Sequence, residues 1–179
     1  MDTGTYPELY SRWLASGVLT PFCWTHSGGP GNLEPWAFGN RLEEINRNSI
    51  KLRYSFLPYI YTAFWEAAQT GVPIMRPLLL EYPDDPRAFE SNDECFFGND
   101  LLVAPVTKDD DKTRGVYQPR GVWYDYWTDR RYTGPGSVEV TAPLDRIPLF
   151  VPGGAILASQ QDMQYTASPH RPVDLRCLS

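Results

Sequence analysis

The side chain best placed for chemistry in this sequence is His26. It follows a mostly apolar run, Val18-Leu19-Thr20-Pro21-Phe22-Cys23-Trp24, that reads as a short buried strand. It lies in Thr25-His26-Ser27-Gly28-Gly29-Pro30-Gly31, a loop by its glycines and proline. The C-terminal end of a strand is where barrel folds gather their reactive side chains. The alternative is a structural histidine, and the residues alone leave both readings open. Two W-x-D triplets, Trp123-Tyr124-Asp125 and Trp127-Thr128-Asp129, offer carboxylates, but they lie among β-type runs and are read as non-catalytic. Asp109-Asp110-Asp111 reads as a solvated turn. A calcium loop would need alternating ligands, a central glycine and a closing glutamate.

Other chemistries lack their parts. There is no glycine-rich phosphate loop and no nucleophile elbow, and the two histidines, His26 and His170, are too far apart for a ligand motif. No cofactor and no metal site is expected. Cys23, Cys95 and Cys177 form no CxxC pair and read as buried or incidental thiols. A net charge of −6, with basic residues scattered among acids, argues against nucleic acid as a partner. No run approaches the roughly 20 apolar residues of a membrane helix, and no signal peptide opens the chain. The compartment stays unknown. A 42% hydrophobic fraction over 179 residues is that of a globular protein. The 14% aromatic content suits sugars, whose C–H faces pack on rings, and equally suits an ordinary core.

The elements that would position His26 can be read in outline. Pro7-Glu8 starts a helix that carries Leu9, Trp13 and Leu14 and stops at Gly17. A long helical segment runs from about Leu42 to Thr70, with Ile45, Ser49, Leu52, Phe56, Tyr59, Ala63 and Ala67 on one face. Pro58 inside it predicts a kink or two abutting helices, and Gly71 closes it. From Cys95 onward short β-type runs alternate with turns: Leu101–Val106, Gly121–Trp127, Ser137–Ala142, Ile147–Val151 and Ala155–Leu157. That spacing predicts an antiparallel sheet or sandwich. Arg53 and Arg76, in apolar surroundings, are expected to make structural ion pairs.

Several blocks together carry a resemblance. Glu8-Leu9-Tyr10-x-Arg12-Trp13, Gly17-x-Leu19-x-Pro21-Phe22-x-x-x-His26-Ser27 and Glu34-Pro35-Trp36 resemble the last strand and loop of a glycoside hydrolase family 31 barrel. Leu52-Arg53-Tyr54-x-x-Leu57-Pro58-Tyr59-x-Tyr61 and Pro73-Ile74-Met75-Arg76-Pro77-Leu78 are similar to the segments that follow. Phe97-Gly98-Asn99-Asp100-Leu101-Leu102-Val103-Ala104-Pro105-Val106, Gly121-Val122-Trp123-Tyr124-Asp125-x-Trp127 and Ile147-Pro148-Leu149-Phe150-Val151-x-x-Gly154-Ala155-Ile156 resemble the family's proximal β-domain. The blocks keep the family's order and spacing over nearly the whole chain.

The resemblance implies an α+β fragment: the last strand and helices of a (β/α)8 TIM barrel, residues 1–90, followed by an antiparallel β-sandwich domain, residues 91–179. It implies the C-terminal portion of a retaining α-glucosidase-type hydrolase acting on terminal α-linked glucose or a related sugar. The family's two catalytic aspartates sit in W-x-D-M-N-E-like and G-D-N-like motifs, and neither motif is present. No catalytic residue is therefore assigned, and the chain alone is expected to be inactive. The implied substrate-binding residues are His26, which in the family holds sugar hydroxyls beside the reacting carbon, and Trp36, which follows the His26 loop. One departure is Trp24, where the family commonly has arginine. The expected partners are a carbohydrate substrate, bound through the complete barrel, and the missing N-terminal part of the same enzyme. The competing reading is a non-catalytic carbohydrate-binding or scaffold β-domain, which would show a row of exposed coplanar aromatics on one sheet face.

Overall fold

The structure is a computed structural model and describes residues 7–26, 32–108, 111–161, 163 and 173–177. The loop residues Ser27–Gly31, the acids Asp109 and Asp110, and His170 lie outside the described residues.

Helix α1 spans Pro7–Gly17 and buries Ser11, Arg12, Leu14 and Ala15, a stripe at three- and four-residue steps. The long helical segment is two helices, α2 (Asn40–Ser55) and α3 (Leu57–Thr70). Pro58 falls in the first turn of α3, where its missing N–H costs nothing, so the break comes at Phe56. Gly71 ends α3 in the left-handed conformation at φ 74°, its N–H donating to Ala67 O at 2.8 Å. Two short helices, α4 (Leu78–Glu81) and α5 (Pro86–Glu90), follow strand β1 (Met75–Pro77). Asp85 caps α5 by accepting from Arg87 N and Ala88 N.

The remaining strands are β2 (Cys95–Phe97), β3 (Leu101–Val103), β4 (Thr113–Asp125), β5 (Arg131–Thr141), β6 (Leu149–Pro152), β7 (Ile156–Ser159) and β8 (Asp174–Cys177). They form a six-stranded antiparallel sheet, β1-β2-β3-β6-β4-β5, and a separate β7-β8 pair. Alternation along the strands gives the larger sheet two covered faces. Phe97, Leu101, Val103, Leu149 and Val151 face one way, onto Leu14, Val18, Leu19, Phe56, Tyr59, Ile60 and Ala63 of the helical part. Phe96, Leu102 and Phe150 face the other way, with Leu78, Ala88, Val116 and Trp123. Strand β1 lies before residue 90, and α1 and α3 share an apolar core with the larger sheet.

Polar anchors reinforce the packing. Buried Arg12 donates to Ala142 O and Asp111 O, at 3.3 and 2.6 Å, and pairs with Glu8 at 3.0 Å. Gln160, just past β7, donates from its backbone to Ser55 O at 2.9 Å and from Nε2 to Tyr54 O at 3.1 Å. The Tyr59 hydroxyl donates to Phe97 O at 2.7 Å and accepts from Asp100 N at 3.0 Å.

Two predictions follow from these contacts. Gly98 has φ 67°, and a Cβ there would sit 2.2 Å from the Tyr59 hydroxyl oxygen. Gly98→Ala should destabilise the protein by about 2–4 kcal/mol, read as a lower urea midpoint; an unchanged midpoint would mean that the β2–β3 turn can relax. The second concerns Glu94, which is only 7% exposed. Its Oε1 accepts from Tyr117 N at 2.8 Å while Oε2 has no partner. Burial pushes its carboxyl up from 4.5 to about 7, against the opposing pull of the Tyr117 N–H and Arg114. The folded state then holds this proton more tightly than the unfolded state. Stability should fall as pH rises from 4.5 to about 7, by roughly 3 kcal/mol at full shift. Urea unfolding across that range should show the drop in the natural chain and lose it in Glu94→Gln. Parallel pH profiles would place the drop elsewhere.

Candidate functional site

The run expected as a strand, Val18–Trp24, turns at Val18 and Leu19 after α1 and then continues as irregular, extended chain to His26. Among the described residues it joins neither sheet. A strand exists through its ladder, and the neighbours this run would need are other barrel strands. The run ends on three successive exposed residues, Trp24, Thr25 and His26. Phe22, Trp24 and His26 are exposed, while Cys23 between them is half-buried against the helical core.

Arg53 holds the backbone of this run in place. Its guanidinium donates from Nη1 to Val18 O and Thr20 O, both at 2.7 Å, and from Nη2 to Pro21 O at 3.2 Å. The expected ion pair is therefore replaced by a clamp on carbonyls. A guanidinium has five donors in a fixed fork, and these carbonyls have lost the N–H partners a ladder would supply. Thr20 tightens the same turn by donating to Gly17 O at 2.7 Å. Arg76 does pair as expected, with Glu81 at 2.6 Å.

At the end of the held segment the rings of Trp24 and His26 meet, centroids 5.1 Å apart and tilted by 49°. Phe22 meets Trp24 edge-on at 5.9 Å. Trp24 is 69% exposed, so its indole has an open surface beside the imidazole. Trp36 is also exposed and sits on a separate turn, where Ala37 N donates to Glu34 O and Asn46 Nδ2 to Pro35 O, at 2.9 and 2.8 Å. The two candidate segments flank Tyr10. Its ring packs on Phe38 at 4.8 Å, and its phenol is raised first by burial and then by Glu34 and Cys23, one from each segment. No ring contact joins Trp36 to His26 among the described residues. The Tyr10 hydroxyl is buried without a hydrogen-bond partner among the described residues, and no local sequence signal marks it.

The W-x-D acids have structural roles. Asp125 Oδ1 accepts from Trp127 N and Thr128 N, both at 2.9 Å, closing the turn after β4. Asp129, at φ 58°, pairs with Arg176. The sheet's large aromatics Phe96, Phe97, Trp123 and Phe150 are fully buried, whereas the exposed aromatics Trp13, Phe22, Trp24, Trp36, Tyr61, Phe64, Trp65 and Phe89 all lie off the strands. The exposed aromatic row expected of a free-standing sugar-binding sheet is absent among the described residues.

Residues 1–63 match the model of the glycosyl hydrolases family 31 TIM-barrel domain, and residues 71–157 match the glycosyl hydrolase family 31 C-terminal domain. The chain is 39% identical over 174 residues to alpha-glucosidase 2 of Bacillus thermoamyloliquefaciens, covering 96% of this chain and 22% of that protein. It is 36% identical over 157 residues to the alpha-xylosidase of Saccharolobus solfataricus, covering 87% and 21% respectively. Among solved structures it is similar to a Flavobacterium johnsoniae GH31 dextranase complexed with isomaltotriose, with 44% identity and a TM-score of 0.93, covering 96% of this chain and 21% of that one. The chain thus spans about a fifth of the length of the relatives it matches.

The clamp gives a direct test. Arg53→Ala removes donors from three carbonyls at once and should cost about 2–4 kcal/mol. Amide exchange should accelerate selectively over residues 18–26, with partial recovery in Arg53→Lys. Uniform acceleration across the sheet would mean that Arg53 supports the whole core and not this segment.

Proposed function

The chain belongs to glycosyl hydrolase family 31, and on that premise we propose that it is the C-terminal portion of a retaining α-glucosidase-type enzyme acting on terminal α-linked glucose or a related sugar. The observation that carries this reading is the exposed Trp24–His26 pair at the end of a segment fixed by Arg53. His26 is the substrate-binding residue, offering its imidazole to sugar hydroxyls next to the reacting carbon. Such hydrogen bonds strengthen as positive charge develops on the ring. Trp36, on the neighbouring turn beyond Tyr10, lines the outer part of the same pocket.

The chemistry of this class needs two carboxylates about 5 Å apart, one attacking the anomeric carbon and one protonating the leaving oxygen. In this reading both belong to the part of the barrel that precedes these residues, and the chain supplies one wall of the sugar pocket. Asp125 and Asp129 do not substitute for them, since each is already engaged in a turn or an ion pair. The relatives' activities, named for glucosides, xylosides and dextran, all concern α-linked sugars, which supports the substrate class and leaves the linkage open. Trp24 bears on that choice. An indole presents a large apolar face and one donor, where an arginine would present a charged fork.

Two measurements test the reading. The purified chain should show no turnover of an aryl α-glucoside above that of an Asp125→Ala, Asp129→Ala variant; clear turnover lost in that variant would make those acids catalytic. Joined to a barrel N-terminal part that supplies both aspartates, the chain should complete an active enzyme. There His26→Ala should lower kcat/KM by about tenfold to a thousandfold. Unchanged kinetics in a folded variant would return His26 to a structural role.

A further inference from the structure

A groove of about 660 Å³ lies between the α4–α5 connection and the middle of the β4–β5 hairpin. It is on the sheet face opposite the His26 segment. Tyr82, which lines it, packs with Phe96, Trp123 and the second core, whereas Cys23 packs with the first. The Tyr82 ring lies close to parallel with Phe96, 27° between planes and 6.1 Å between centroids, and it also contacts Trp123 at 6.5 Å. One side of the ring is thus fixed to the core, and the half-buried residue presents its remainder to the groove.

The polar groups around it fall into two sets. Tyr117 donates to Asp85 at 2.6 Å, and the Arg87 guanidinium lies 4.9 Å over the Tyr117 ring, so these three are committed to one another. Asp84 and Arg120 also line the groove, are exposed, and have no hydrogen-bond or ion-pair partner among the described residues. An immobile aromatic face with an uncommitted acceptor and an uncommitted donor beside it suits one kind of ligand. A pyranose ring lays its C–H face on an aromatic and turns its hydroxyls outward to groups of both polarities. The acids Glu81, Asp84 and Asp85 on one wall disfavour an anion, and Arg87 and Arg120 disfavour a cation. A neutral polyhydroxylated ligand meets neither penalty, and the volume is within the range of small-ligand sites.

We propose that this groove is a second saccharide-binding site, taking a glucose unit of an α-glucan on the Tyr82 ring, with Asp84 accepting from its hydroxyls and Arg120 donating to them. It rests on the carbohydrate reading above and is separate from the His26 pocket. Its contribution would be to hold a longer chain near the enzyme, raising the effective concentration of chain ends without new contacts at the reacting bond.

The test is a titration of the isotope-labelled chain with maltotriose and with isomaltotriose, followed by amide chemical shifts. Binding on the order of millimolar, with shifts clustered at Tyr82, Asp84 and Arg120, is expected. Asp84→Asn and Arg120→Ala, both surface changes, should each weaken it about fivefold to tenfold, while His26→Ala leaves it unchanged. Tyr82→Ala should abolish it, but that ring also packs on Phe96, so the two surface variants carry the decision. No binding of either sugar at about 50 mM overturns the proposal. So does binding that survives both surface variants, or that disappears with His26→Ala. The last outcome would leave the family reading intact, and the loss of activity in the joined enzyme would test that reading without involving the groove.

Discussion

The hydroxyl of Tyr59 ties two layers of this molecule that share little sequence. It stands on α3 and donates to Phe97 O while accepting from Asp100 N, so one oxygen satisfies two backbone groups of the β2–β3 turn. The turn comes so close that only a residue without Cβ fits at position 98, and its positive φ favours glycine as well. Burial raises the phenol's pKa above its ordinary value, which favours the neutral hydroxyl that donates and accepts here. With α3 fixed to the sheet at that point, Phe56 and Ile60 are brought onto Phe97 and Leu101, and the preceding helix α2 is placed with Arg53 against the Val18–Pro21 carbonyls. The candidate sugar pocket therefore depends on a contact made by the β-domain, on the far side of α3.

Through this contact the helical part and the β-domain share an apolar core. A sheet with one covered face and one wet face would alternate apolar and polar residues along its strands. Here Leu101, Leu102 and Val103 are all fully buried because both faces of β3 are covered. Removing the helices would strip one of those faces. Leu14, Val18 and Leu19 are buried in the cluster that holds that face of the sheet, and α1 also packs on α2. The barrel end and the β-domain are thus parts of one apolar core, and the outward aromatics of α3, Tyr61, Phe64 and Trp65, form its uncovered rim.

What the sequence made legible is what local rules govern. The start of α1 at Pro7, the break before Pro58 and the stop at Gly71 depend on residues within a turn of each boundary, and all three stand where the residue types put them. The apolar stripe through Ile45, Phe56, Tyr59 and Ala63 is likewise a property of one helical period. Long-range pairings were not legible. Arg53 reaches Val18 O across 35 residues and Tyr59 reaches Phe97 O across 38, and nothing in either residue's neighbourhood names the partner. Strand β1 was missed for the same reason: Met75–Pro77 is three residues long, and only its pairing with β2 makes it a strand. The run before His26 shows the converse case, β-type residues without a partner and therefore without a ladder.

The site inherits that asymmetry. The local signals around His26, an apolar run followed by a loop, left a structural reading open, and the resemblance of Pro21-Phe22-x-x-x-His26-Ser27 to the family singled it out. The contact that defines its surroundings is the Trp24 ring at 5.1 Å, two residues away in the same loop segment. Whether those side chains meet solvent or a wall depends on the ladder, which belongs to other strands. In this chain the Arg53 clamp substitutes for part of it, holding the carbonyls on one edge while the rings stay exposed. An arginine at position 24 would add a second guanidinium three residues after Pro21, the last carbonyl that Arg53 holds. The indole adds none, and it leaves the imidazole beside an apolar face. On the proposed reading, Trp24 offers a sugar beside His26 one N–H donor and an apolar face that suits the C–H side of a ring.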